Sequence, residues 1–517
     1  MMPNRSTDIL FQLIRSLEKA EKRHFKLYIK RSSGNADLKI VRLFDLIDKM
    51  KDYDEKTLIR KLGEVTKPQL ANLKTHLYKQ IMASLRLLKS TDSLDLQLNE
   101  QFDYAHILYK KGLFIQSLRI LDRAKEIAKA NQKFNFLPQI ISLEKRIEGL
   151  HITRSMQNRA EQLSTEANEV SRHIDNVARL SNLSLQLYSW YIEHGHARNE
   201  EDEKDIRAYM NEHLPADAWQ QNGFYERMYL YQSVSWYAFI RQDFLQYYRY
   251  TQKWVDLFEE QPLMIRVETG HYIKGMHNVL NAHFDLRNYR AFEKILRHFE
   301  TFAQSSRVIE NDNFRIQAFI YISIARINQH FMMGSFEEGL LLVPVLVKKM
   351  EEFHLFVDRH RILVLNYKIA VLYFGSGDYN TCIDYLQKII HDKTDLRYDL
   401  QCYARLVHLL AHYELGNDML MESLTKSVYR FMAKMYNLTV VEEAMFKFLR
   451  HSISLSPRQL KPEFEKFLLG IKHLEKNRYE TRAFAYLDII SWIESKVYNK
   501  PMGMVIHEKY LLSKRRR

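Results

Sequence analysis

The stretch YFGSGDYNTCIDYLQKII, Tyr373 to Ile390, holds the only Gly-x-Gly of the chain, Gly375-Ser376-Gly377. A phosphate cradle needs several backbone N–H groups converging at a helix start, usually after a strand. Here the glycines follow a helical run, with no third Gly at the dinucleotide spacing and no Gly-Lys-Ser/Thr. The alternative is a corner between two helices. In that reading Tyr379 and Cys382 pack beyond the turn, with Leu386 and Ile389 continuing one apolar stripe.

Composition favours the corner. The 517 residues include 15 Gly and 9 Pro, where average usage gives roughly 36 and 26. Hairpins, bulges and phosphate loops draw on those residues, so their scarcity predicts an all-α chain with short polar turns. Hydrophobic residues make up 46% and charged residues 27%, a globular balance. The two cysteines, Cys382 and Cys402, can build neither a disulfide framework nor a zinc cluster. The N-terminus lacks the apolar core of a secretory signal, and no run approaches the ~20 apolar residues that span a bilayer. These features predict a cytoplasmic protein that keeps away from membranes.

The same turn pattern recurs along the chain. Gly112 precedes Phe114, Gly334 precedes Phe336 and Gly377 precedes Tyr379. Arg287 stands for the Gly before Tyr289, and Gln242 before Phe244. Gly416 keeps the turn, but Asp418 follows in place of the aromatic. An aromatic lies three residues before every turn: Tyr109, Phe239, Phe284, Phe331, Phe374 and Tyr413. Packing between helices is the expected role of these rings. From Phe244 to Asp418 the steps are 45, 47, 43 and 39 residues, longer than the ~34 of a standard two-helix repeat.

Residues 95–425 resemble the tetratricopeptide repeat, in which a Gly-x-aromatic turn separates two antiparallel helices and a small residue three further on lets them approach. The copy at Gly377 is close to the family pattern; those at Arg287, Gln242 and Gly416 are degenerate. The resemblance implies a right-handed α-solenoid of antiparallel helix pairs that binds a partner on its concave face. Groove positions of the family lie six and ten residues before the turn. Here they fall on Trp236, His277, Asn281, Asn328, Tyr367 and Val371. Asn281 and Asn328 stand out because an amide donates and accepts toward a peptide backbone at once. The first 90 residues, with EKRHFKLYIKRSS and LFDLIDKM, also resemble the openings of uncharacterised bacterial helical-repeat proteins.

The net charge of +14 belongs to the two ends. Residues 1–90 carry 20 Lys/Arg against 10 Asp/Glu, and the chain closes on Lys514-Arg515-Arg516-Arg517. Apolar spacing predicts helices over 7–31, 37–51, 54–62 and from Thr66 to Lys89, a compact basic helical domain over 1–90. Its 54–89 segment is a candidate helix-turn-helix. Lys67, Gln69, Asn72, Lys74, His76 and Lys79 lie on or near the exposed side of its second helix, and Lys, Gln and Asn reach phosphates and base edges. Any solvated helical face gives the same pattern. The expected organisation is completed by a repeat array over 91–430, capping helices over 431–499, including 462–476 and 479–497, and a basic tail over 500–517.

Catalytic signatures are sparse. His408 and His412 are spaced i, i+4 on one helix, and His194-Gly195-His196 lies in a loop, but neither pair has an evident third ligand. Nucleophile motifs are absent. The expectation is a non-catalytic scaffold or adaptor without cofactor or metal, binding a protein or peptide partner. A nucleic-acid-binding regulator that uses residues 1–90, with the repeats as sensor, is the alternative.

Overall fold

The computed structural model describes residues 8–31, 35–63, 65–89, 93–151, 158–354, 356–392, 397–435, 438–480, 484 and 486–515. Every regular element among them is helical, with no β-strand. No described helix is long and apolar enough to cross a membrane. The chain divides into two compact units, Met1–Ser171 and Arg172–Arg517.

The first unit begins with α1 (Ile9–Ser16), α2 (Lys19–Arg31), α3 (Asn35–Asp48), α4 (Glu55–Leu62) and α5 (Lys67–Lys89). The apolar run expected as one helix over 7–31 is two. Asp8 caps the first, accepting from the backbone of Leu10 and Phe11 at 3.1 Å each, and Leu17 leaves the helix with an extended backbone. Leu10, Ile14, Phe25, Phe44, Leu58, Leu77 and Ile81 form one core, each at most 3% exposed. Then come α6 (Leu94–Lys110), α7 (Phe114–Ala130) and α8 (Leu137–His151). The small Ser117 lies where α7 meets α6, and its hydroxyl donates to the Ala105 carbonyl at 2.8 Å. Residues 152–157 lie outside the described residues. The 36-residue α9 (Arg159–His194) spans the division between the units.

The second unit is a succession of helix pairs: α11 (Phe224–Ile240) with α12 (Phe244–Glu260), and α14 (Thr269–Asp285) with α15 (Tyr289–Ala303). Next, α17 (Asp312–Met333) pairs with α18 (Phe336–Leu340) and its continuation α19 (Val343–Glu352). The last are α20 (Arg359–Ser376) with α21 (Tyr379–Ile390), and α22 (Tyr398–Glu414) with α23 (Asp418–Lys434). Successive first helices α14, α17, α20 and α22 pack on one another. The single-turn helices α13 (Pro262–Val267) and α16 (Ser306–Ile309) fill two of the links, and α10 (Glu200–His213) precedes the series.

All six turn positions read from the sequence adopt a left-handed backbone: Gly112, Gln242, Arg287, Gly334, Gly377 and Gly416, with φ between +52° and +89°. The six-residue closing hydrogen bond recurs as well: Leu113 N–H donates to Leu108 O, Asp243 to Ala238, Asn288 to His283, Ser335 to His330 and Asn417 to His412. This geometry satisfies carbonyls that the ended helix leaves free. Gln242 and Arg287 therefore do the glycine's work at the strain a side chain adds. The residue after the turn often starts the next helix. Asp243, Asn288 and Asp378 accept from the backbone of Gln246, Ala291 and Thr381 at 3.0, 3.4 and 3.1 Å.

The two glycines of the opening stretch have different causes. Gly377 supplies φ of +89°. Gly375 lies inside α20, where a Cβ would come within 2.4 Å of the Phe336 ring of the preceding pair. Alanine normally improves a helix interior by about 1 kcal/mol over glycine. Gly375→Ala is expected instead to destabilise the protein by about 1–3 kcal/mol, because the buried Phe336 must move. Urea unfolding of this variant and of Gly375→Ala/Phe336→Leu checks the assignment: the second change should restore most of the loss.

The C-terminal region departs from expectation in two ways. After α24 (Val440–Ser452), α25 (Pro457–Lys472) runs through Pro462 and so starts ahead of the helix expected over 462–476. Of the helix expected over 479–497, Ile489–Val497 is α26, Phe484 and Tyr486 are also helical, and Tyr479 and Glu480 lie in a turn. The expected tail is also helical: α27 (Met502–Arg515) follows Pro501 and packs on α17 and α20. A Cβ on Gly334 would lie 2.2 Å from the Gly503 carbonyl oxygen, so glycine on both chains lets the backbones touch. Arg516 and Arg517 lie outside the described residues.

Candidate functional site

Two polar stripes at helical spacing bring charge to the first helices of the second unit. On α14 they are Lys274, His277, Asn281 and Asp285; on α20, Arg361 and Lys368. A cavity of about 190 Å³ is lined by Asn281 and Asp285, by Asn328 of α17, by Tyr367 and Lys368, and by Arg397 just before α22. The pre-turn aromatics Phe239, Phe284 and Phe331 line it too. For these three rings the expected packing between helices is only part of their role: each is half-buried and presents a face to the cavity. Phe374, 2% exposed, is the one that packs fully into the core.

Lys368 is the centre of the cavity. Its ammonium donates to Asn328 Oδ1 at 2.6 Å and lies 5.8 and 5.5 Å from the ring centroids of Phe284 and Phe331. Burial pushes its pKa down to about 8, against the pull of the Asp285 carboxylate. Asp285 is pushed up to about 7 by burial, with Arg287 and Lys368 opposing. Both side chains keep some contact with solvent while protein surrounds them on most sides. No carboxylate of the described residues lies within ion-pair distance of Lys368.

An aromatic cluster continues along the same helices. The Lys274 ammonium stands over the rings of Tyr188, Trp236 and Tyr321 at 5.8, 5.7 and 5.4 Å. It too lacks a carboxylate partner among the described residues. His277 stacks face to face on Tyr321 at 3.9 Å, and its Nε2 shares a 3.1 Å hydrogen bond with the Asn281 amide. Burial holds His277 well below the usual imidazole range, with Lys274, Lys368 and Arg361 adding to the effect. Arg361 donates to the Tyr321 hydroxyl at 3.3 Å.

Of the six residues read from the sequence, Asn281, Asn328 and Tyr367 line the cavity. Trp236 and His277 belong to the aromatic cluster beside it. Val371, at the same register as Asn281 and Asn328, lies in the hydrophobic core at 5% exposure, away from the cavity lining. The charges Lys274, Asp285, Arg361, Lys368 and Arg397 were missed. The stripe 274-277-281-285 on α14 and the pair Arg361 and Lys368, two turns apart on α20, were the signal that could have found them.

In the first unit, α4, the turn at Gly63 and α5 carry the other candidate surface. Lys67, Asn72 and Lys79 are exposed. Gln69 is engaged in a cap, its Oε1 accepting from the Thr66 N–H at 2.9 Å. Lys74 pairs with Asp8 and donates to the Tyr53 hydroxyl at 2.8 Å, which ties α5 to α1. Of the six polar residues named for nucleic acid, Gln69 and Lys74 thus have structural work, His76 shares a 3.1 Å hydrogen bond with Gln80, and Lys67 lies 3.6 Å from Glu55.

His408 and His196 are packed, whereas His194 is exposed. His408 and His412 meet edge-on at 4.6 Å, and burial lowers both, His408 to about 4. His196 Nδ1 bonds the Phe239 carbonyl at 2.7 Å. Among the described residues no group of three or more His, Cys, Asp or Glu stands close enough to hold a metal ion. Compared with models of known protein families and with curated proteins, the sequence matches none.

Proposed function

We propose that the second unit is a non-catalytic adaptor whose paired helices form a tetratricopeptide-like solenoid and take a protein or peptide partner on the concave face. The observation that carries the reading is that Lys274 and Lys368 are each set among aromatic rings and neither is within ion-pair distance of a carboxylate of the described residues, Asp285 acting on Lys368 only from farther off. A desolvated ammonium without a counter-ion is costly, and a carboxylate from a partner would relieve that cost through a charge-assisted hydrogen bond. Asn281 and Asn328 add amides that can meet a peptide backbone. The partner segment is therefore acidic, with apolar side chains for the ring faces.

A fluorescein-labelled peptide alternating glutamate and leucine is the direct probe, read by anisotropy on the full chain. Lys274→Gln/Lys368→Gln is expected to raise its Kd at least about tenfold, equivalent to roughly 1.4 kcal/mol. Thermal unfolding of both proteins controls for folding. Equal affinity of the two, or no binding below roughly 1 mM, refutes the reading.

A further inference from the structure

A groove of about 920 Å³ lies between the start of α15, the end of α17 and the last turns of α27. It shares no lining residue with the cavity around Lys368. Sites for small organic ligands measure about 300–1,000 Å³ and combine apolar walls with a few polar groups. This groove has both. Phe292 and Met332, each 1% exposed, and the half-buried Met333 form its apolar side. Tyr289 of α15 and Tyr510 of α27 also line it, with their rings edge-on at 4.7 Å.

The polar side is positive. Arg287 and Arg290 stand three residues apart where α15 starts, both exposed and both lining the groove. Neither has a carboxylate within ion-pair distance among the described residues. Asp285 acts on Arg287 only from farther off, and the Arg287 guanidinium stands 5.3 Å from the centre of the Phe284 ring. Glu293 is the one carboxylate of the lining, and Arg297 holds it at 2.6 Å. The first turn of α15 contains no acidic residue. The positive end of the helix dipole therefore adds to two guanidinium charges instead of offsetting them. An anion would relieve that concentration of charge, and the guanidinium fork matches the oxygens of a phosphate.

We propose that this groove binds a nucleotide-like ligand, an aromatic ring system that carries phosphate. The phosphate meets Arg287 and Arg290. The ring lies against Tyr289 and Tyr510 and against the thioethers of Met332 and Met333, which make favourable contacts with aromatic groups. Gln329, also in the lining, makes no hydrogen bond to the described residues with its amide. That amide offers a donor and an acceptor to the edge of a heterocycle.

Anisotropy of N-methylanthraniloyl-ATP on the full chain tests the site. About 0.15 M salt screens loose attraction to the basic helices of the first unit. Arg287→Gln/Arg290→Gln is expected to raise the Kd at least about tenfold. Gln242 already holds the same left-handed turn position in another helix pair, so glutamine suits the backbone at 287. Tyr510→Leu is expected to raise the Kd about fivefold through lost stacking. Thermal unfolding of each variant controls for folding. Unlabelled ATP should displace the probe at lower concentration than adenosine, tripolyphosphate or dodecyl phosphate. Tripolyphosphate competing as well as ATP overturns the proposal, since the groove would then hold any polyanion. Dodecyl phosphate competing better than ATP overturns the aromatic assignment. An unchanged Kd in the double arginine variant places the nucleotide elsewhere, and no binding below roughly 1 mM removes it altogether. Lys274→Gln/Lys368→Gln should bind the probe as the unaltered protein does. Loss of binding there would move the ligand to the partner-binding face and overturn this site.

Discussion

Between pH 6.5 and pH 4 the unit over 172–517 is expected to lose on the order of 5 kcal/mol of stability. His283, His360 and His408 are each pushed down to about 4, in every case first by burial, which disfavours the imidazolium. Their unfolded pKa is about 6.5. A depressed folded pKa stabilises the protein above the unfolded value, and that contribution is lost as pH falls through the folded one. Asp285 acts in the opposite sense. Raised to about 7 in the fold, it binds its proton before an unfolded aspartate does and offsets one of the three histidines. With His277, held lower still by burial, the net uptake of about three protons gives a slope near 4 kcal/mol per pH unit, less where solvent reaches His360 and His408. Urea midpoints at pH 7, 6, 5 and 4.5 measure it. His283→Gln, which cannot titrate, should flatten the slope by about 1.4 kcal/mol per unit. A flat profile from pH 7 to 5 would contradict the assignment.

Asp399→Ala is expected to cost about 3–5 kcal/mol, the usual loss when one partner of a buried pair is removed. Arg397 and Asp399 are 8% and 6% exposed and joined by two hydrogen bonds of 2.8 Å. Asp399 also accepts from Tyr486. Truncation leaves a guanidinium buried with no carboxylate partner and the tyrosine hydroxyl without its acceptor. Replacing both charges, as Arg397→Met/Asp399→Leu, should recover most of the loss, because an apolar pair avoids the desolvation that the ion pair must overcome. Equilibrium unfolding of the two variants separates the cases. Equal losses would mean that the pair contributes by shape rather than by charge.

The turns were legible because their causes are local. A left-handed backbone at position 377, the Asp378 cap and the small Cys382 all lie within six residues, and each leaves a mark in the sequence. The aromatic spacing even exposed Gln242 and Arg287 as turn residues, and both have positive φ. The site was only half legible. Register from the turn found Asn281, Asn328 and Tyr367, since side chains a fixed number of residues before a turn point the same way on equivalent helices. Val371, at the same register, lies instead in the hydrophobic core at 5% exposure.

By itself the sequence determined the helical class, the pairing of helices and the corners between them, since propensity, caps and turn conformation depend on neighbours a few residues away. Only the tertiary structure decided why Gly375 is glycine, that residues 502–515 dock as a helix, and that Lys368 lies between Phe284 and Phe331. Those facts depend on contacts between residues 37 to 174 positions apart, as in Phe331–Lys368 and Met333–His507. Charge, burial and free volume at such points belong to the packed helices together. No window of sequence short enough to have a period carries them.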